Sequence, residues 1–198
     1  RPRFLLSRHE IRASIPRMPD QPRRTAGILL PAFSPRRTGD LGIGDTLALR
    51  QWIDWAADHG IGFLQLLPIN ETGSDDSPYN AISSVAPEPL YLAFETDQMP
   101  GLEASDIEAA RGELSQALDS RLVDYRAVRR NKTMLLRRAW GRFTELAPAD
   151  AEFAAFRRDQ ACWLDDYVLF RWLMDQAGGR ESWDLWPEAY STPDAARR

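Results

Sequence analysis

The chain has 198 residues, 43% of them hydrophobic, and a formal net charge of -4. That length and apolar content suffice for a sizeable core and exclude a disordered chain, and the acidic balance argues against a nucleic-acid partner. The single cysteine, Cys162, excludes an internal disulfide and a cysteine metal cluster, and no apolar run approaches the ~18 residues of a membrane-spanning helix, so no membrane partner is expected.

Residues 1–24 carry Pro2, Pro16, Pro19 and Pro22 among several arginines and read as an irregular arm. Their apolar stretch is too short for a signal peptide. A reduced, cytoplasmic setting is expected. Ala26 to Leu30 is a short apolar run ended by Pro31, which predicts a buried strand. The loop to Gly44 holds Gly39, Gly42 and Gly44. Neither the G-x-G-x-x-G nor the P-loop spacing occurs, so a tight turn that lets backbone approach a ligand or a neighbouring loop is favoured over nucleotide binding. Asp45 or Thr46 caps a helix through about His59, with Leu49, Trp52, Ile53 and Ala56 on one face and Gly60 to end it. His59 then stands in the last turn, where a cation suits the helix dipole. Gly62 to Leu67 is the second strand. Strand, helix and strand in about 40 residues make a βαβ unit, hence a parallel pair with a right-handed crossover.

That second strand runs directly into a polar loop with Asp75, Asp76, Ser77, Tyr79, Asn80, Ser83 and Ser84. Two readings stand. Asp, Ser, Pro and Asn are turn residues, so this is a surface turn. Alternatively, α/β enzymes build sites on the loops after their strands, and carboxylates, hydroxyls and an aromatic ring are what sugars require. Without histidines or further carboxylates at ligand spacing, no metal site is expected. Neither His9 nor His59 has a nucleophile partner in a recognisable setting.

The remainder is helical: residues 106–117, a basic helix over 126–143, and the strongest periodicity over 149–177, stopped by Gly178 and Gly179. Arg126, Arg129, Arg130, Lys132, Arg137 and Arg138 read as a solvated face, or a contact for an acidic partner. Cys162, beside Trp163, reads as a small buried hydrophobe. Most of the seven tryptophans are expected in the core, with a minority as sugar platforms. Two parallel strands cannot cover both their faces, and a full (β/α)8 barrel needs about 250 residues, so the layout reads as the opening of something larger.

The runs Gly27-Ile28-Leu29-Leu30-Pro31, Leu41-Gly42-Ile43-Gly44-Asp45, Gln65-Leu66-Leu67-Pro68, Thr72-Gly73 and Asp76-Ser77-Pro78-Tyr79-Asn80 resemble the 4-α-glucanotransferases, the amylomaltases of the α-amylase clan. Val123-Asp124-Tyr125, the segment from Cys162 to Phe170, and Trp183 with Trp186-Pro187 resemble the same family's helical insertion. The resemblance spans about residues 25–190. It implies an α/β fold: the opening βαβ of a (β/α)8 TIM barrel over residues 25–96, followed by a mostly helical insertion subdomain over 97–198. The barrel is incomplete, and its remainder is expected C-terminal to Arg198. It further implies transfer of α-1,4-glucan segments between maltooligosaccharides by a retaining two-step mechanism, with no cofactor.

Such a mechanism uses two carboxyl groups about 5–5.5 Å apart. The family's Arg-x-Asp-His and Ala-Glu-Asp-Leu-Gly contexts for them do not occur here, so no catalytic residue is assigned. The binding residues implied are Asp76, Ser77, Tyr79 and Asn80, with Tyr79 meeting the sugar next to the cleavage point. Tyr125 is implied in a second, remote glucan groove. Where that groove commonly has a tyrosine, two residues before Asp76, this chain has Ser74, and Pro87-Glu88-Pro89 replaces a frequent Gly-Asn-Pro. An α-glucan hydrolase of the same clan, a non-catalytic glucan-binding module and a plain scaffold remain as alternatives.

Overall fold

A computed structural model describes residues 24–147, 149–187 and 190; the expected arm over residues 1–24 lies, but for Arg24, outside the described residues. The chain opens with strand β1 (Gly27–Leu30), helix α1 (Thr46–Asp58) and strand β2 (Phe63–Leu66). The strands pair in parallel, Gly27 opposite Phe63 through Leu30 opposite Leu66, as the βαβ reading requires. Asp45 caps α1 in extended conformation and its carboxylate accepts from the Ala48 N–H at 2.9 Å. His59 follows the helix; its Nδ1 lies 2.7 Å from the Trp55 carbonyl oxygen and its ring stacks on Trp55.

The strands are only partly buried, contrary to expectation: Leu30 is buried, but Leu29 is 58% and Phe63 50% exposed. Two strands and one crossover helix leave one sheet face and both outer edges without cover. Even the helix side is open, with a cavity of about 310 Å³ lined by Leu49, Ile53, Ile61, Phe63 and Leu66.

The core lies elsewhere. Helices α2 (Ala104–Glu113), α3 (Ser115–Asp119) and α4 (Tyr125–Leu146) pack with the loop after β1 and a 3-10 turn at Pro89–Tyr91. Ile43, Leu114, Val128 and Leu135 are at most 1% exposed. Gly44 makes the loop's closure possible: its N–H donates to the Phe33 carbonyl at 2.8 Å, and a Cβ there would lie 2.3 Å from the Ala32 carbonyl oxygen. The close backbone approach is therefore within this loop itself, between its two ends, and not to a ligand or a neighbouring loop.

Two of the three helical predictions after the polar loop are interrupted. Residues 106–117 break at Leu114, between α2 and α3. Residues 149–177 break at Gln160 into α5 (Ala151–Asp159) and α6 (Ala161–Gln176). The break lets the two pieces face different neighbours. Phe153 of α5 packs on Trp140 and Phe143, while Tyr167 and Arg171 of α6 reach Glu71. Gly178 and Gly179, at φ +71° and +82°, end α6 as expected, and the Gly179 N–H bonds back to the Met174 carbonyl at 2.8 Å.

Three burial expectations are corrected. Cys162 is exposed, in the first turn of α6. None of the seven tryptophans is fully buried, and Trp55, Trp140, Trp172 and Trp183 are each more than 40% exposed. Lys132, placed on a solvated face, is 2% exposed. It sits on the inward stripe of α4 with Val128, Leu135 and Ala139, so its ammonium must find partners inside.

Candidate functional site

The polar loop leaves β2 through Pro68 and folds into two arms. Glu71 N–H donates to the Ala86 carbonyl, Ile82 N–H to the Glu71 carbonyl and Glu88 N–H to the Ile69 carbonyl, each at 2.9 Å. At the tip, Asp76 N–H bonds to the Gly73 carbonyl and Asn80 N–H to the Ser77 carbonyl. The Asp75 carboxylate accepts from the Ser77 N–H and from the Asn80 side-chain amide, both at 3.1 Å. These local bonds are the turn chemistry of Asp, Ser and Asn. They leave the Tyr79 ring 75% exposed at the end of the loop.

The loop is braced from beneath by carboxylates that meet helices. Asp76 is the one non-glycine residue with positive φ (+53°) among the described residues, and its Oδ1 accepts from Arg129 Nη2 at 2.6 Å. Glu88 is 2% exposed and accepts from the Thr72 N–H and hydroxyl, the Leu90 N–H and Arg129 Nη1. Glu71, also 2% exposed, accepts from the Tyr167 hydroxyl and pairs with Arg171 Nε at 3.3 Å. Burial lifts the Glu71 carboxyl above its usual range, against the pull of Tyr167 and Arg171. Burial, then the bond to Glu71, likewise raises the Tyr167 hydroxyl. The Glu181 carboxylate, beyond α6, accepts from the Ser74 N–H.

Tyr125 opens α4 and packs edge-on to Phe33, ring centres 6.1 Å apart. The two rings line a groove of about 960 Å³ between the loop after β1 and the α3–α4 turn, together with Ser34, Arg36, Thr38, Ser120 and Leu122. Burial, then the Asp76 and Glu88 carboxylates, raises the Tyr125 hydroxyl above its usual range. Arg129, four residues after Tyr125 on α4, bonds Asp76 of the loop, so the groove and the loop adjoin. Asp76, Ser77 and Asn80 therefore share one turn with Tyr79 at its end, while Tyr125 belongs to the neighbouring groove and meets the turn through Arg129.

Arg129, Lys132, Glu71 and Tyr167 were not singled out as site residues from the sequence, and Glu88 only as an added charge. Lys132 Nζ donates to the Leu90 and Leu92 carbonyls at 2.6 and 2.8 Å, and burial pulls its pKa down to about 8. A signal for it existed. Lys132 falls four residues after Val128 and three before Leu135, on the apolar stripe of α4. Arg129 falls four residues after Tyr125, hence on the same helix face. Glu71 and Tyr167 are 96 residues apart, and no local pattern announces their contact.

Chemically, these carboxylates brace the loop. Glu71, Asp76 and Glu88 are each engaged by a cation or hydroxyl. Among the described residues no group of three or more His, Cys, Asp or Glu could hold a metal ion, and no helix is long and apolar enough to cross a membrane.

Comparison with known proteins adds an independent observation. A family described as 4-alpha-glucanotransferase matches residues 30–198. A 4-alpha-glucanotransferase of Chlamydia caviae is 36% identical over 168 residues, covering 83% of this chain and 31% of that relative. The 4-alpha-glucanotransferase DPE2 of Oryza sativa subsp. japonica is 34% identical over 163 residues, 79% of this chain and 17% of the relative. One from Synechocystis is 32% identical over 183 residues, 88% of this chain and 34% of the relative. The chain thus spans about a third or less of the length of these curated relatives. With an α/β fold and a match over most of its length, the chain belongs to the 4-alpha-glucanotransferase family.

Proposed function

We propose that the full protein is a 4-α-glucanotransferase moving α-1,4-glucan segments between maltooligosaccharides by retaining double displacement. This chain lines its substrate cleft and contributes no catalytic carboxylate. Residues 25–96 are the first βαβ of a (β/α)8 barrel, and residues 97–198 a helical insertion. The apolar surface left open at Leu29, Ile53 and Phe63 is then the seat of further barrel strands. The protein works in the cytoplasm without a cofactor, consistent with one exposed, unpaired cysteine.

One observation carries the binding assignment: Tyr79 is 75% exposed on a turn whose backbone is bonded on both sides. A solvent-facing ring on a rigid support stacks on the apolar face of a sugar at little entropic cost. Ser77 and Asn80 beside it supply hydroxyl and amide partners for sugar hydroxyls. Tyr125 and Phe33 line the adjoining groove for a longer chain.

The test is Tyr79→Ala in the full-length protein. The expected result is a fall of about 10–100-fold in kcat/KM for transfer, with the melting temperature within about 2 °C of wild type. Equal loss of fold and activity would sink the assignment.

A further inference from the structure

We infer that Arg129 is a positioning residue: it locks the loop of Tyr79 to α4 and so fixes that ring relative to the groove at Tyr125. The inference rests on the glucan-binding reading for its consequence in turnover, and on geometry alone for the lock.

The Arg129 guanidinium uses its two terminal nitrogens on two separate parts of the loop. Nη2 bonds Asp76 at the tip at 2.6 Å, and Nη1 reaches Glu88 on the returning arm at 3.4 Å. Glu88 is itself held by Thr72 and Leu90, so the fork ties the tip of the loop to a fixed point on its returning arm. The tie falls at the one non-glycine residue with positive φ among the described residues. A left-handed conformation is disfavoured for a residue with a Cβ, and Asp76 adopts it at φ +53°. The base of the fork is rigid as well. Lys132, three residues along α4, is bonded to the carbonyls of Leu90 and Leu92 just past Glu88. Arg129 and Tyr125 share a helix face, so whatever holds the loop to Arg129 also sets its distance from Tyr125. A lysine is a point charge and cannot span both carboxylates at once.

The consequence is specific. A loop released from Arg129 still carries Tyr79 but no longer presents it in one place. Substrate binding weakens while the reacting carboxyl groups, supplied from elsewhere, are untouched. A residue needed only for folding would behave differently: its loss lowers the fraction of active protein, so kcat falls at constant KM.

The experiment compares wild type, Arg129→Lys and Arg129→Gln in the full-length protein. It reads steady-state transfer with maltoheptaose and backbone hydrogen exchange. For Arg129→Gln we expect KM to rise about tenfold with kcat within about twofold. Exchange over residues 74–80 should quicken by about tenfold or more, with that of α4 unchanged. Arg129→Lys should fall between, and carries the same two readouts should the glutamine variant fail to fold. Unchanged protection of residues 74–80, or a fall in kcat at constant KM, overturns the inference. A wild-type protein that does not elongate maltooligosaccharides overturns the glucan reading instead, and exchange over residues 74–80 then still decides whether Arg129 holds the loop.

Discussion

Two sets of buried carboxylates pull the stability of this protein in opposite directions with pH. Burial alone would raise Asp40, but the Arg36 fork and the N–H groups of Gly42 and Arg37 outweigh it and hold it below its ordinary 3.8. Arg142 does the same for Asp106, aided by the Glu103 N–H and Arg138. Their stabilisation is complete above pH 3.8 and is lost as the pH falls through their lowered values. Glu71 is the reverse case. Burial raises it above 4.5, so between 4.5 and its folded value the folded chain holds the extra proton, and stability rises on acidification. Urea midpoints followed downward from pH 7 should therefore climb slightly before they fall. Glu71→Gln should remove the climb, and Asp106→Asn should flatten the fall below 3.8. A monotonic decline that Glu71→Gln leaves unchanged contradicts this assignment. The turn at the tip, Asp76 to Asn80, was legible because turn chemistry is a local feature of sequence. The residues that hold the tip were not, because a charge on a helix reads as solvated unless its partner, 41 residues away for Arg129 and Glu88, is known.

At the scale of elements, α4 organises the molecule. Its inward stripe of Val128, Leu135 and Ala139 closes the core, and its flank carries Tyr125 to the groove and Arg129 to the loop. Periodicity and capping located α1 and α4 to within about three residues at each end, since both signals are intrinsic to a helix. The same signals ran straight through Gln160, which is neither Gly nor Pro. There tertiary contacts decide: α5 follows Trp140 and α6 follows Glu71. The loop after β1 gives a direct test of packing. Gly44→Ala would put a methyl 2.3 Å from the Ala32 carbonyl oxygen, with backbone atoms of Phe33 and Pro35 also within 3 Å. Backbone cannot yield as a flexible side chain can, so a loss of about 2–3 kcal/mol is expected, read as a lower urea midpoint at unchanged m. An unchanged midpoint would mean that the loop closes by another route.

At the scale of the whole molecule, the parallel βαβ pair followed by helices was legible from the sequence, because strand length, helix caps and glycine stops recur in chain order. Where the core lies was not. A buried parallel strand and an apolar strand awaiting its neighbours have the same sequence, and here the buried centre is among α2, α3 and α4. The exposed sheet and the exposed Tyr79 are the two surfaces the account gives to further structure and to substrate. The most direct measurement is the product distribution when the purified full-length protein is incubated with maltotriose alone. The account predicts glucose together with maltooligosaccharides longer than the substrate, because a sugar hydroxyl accepts the transferred segment. Only products shorter than maltotriose, or no reaction, would contradict it.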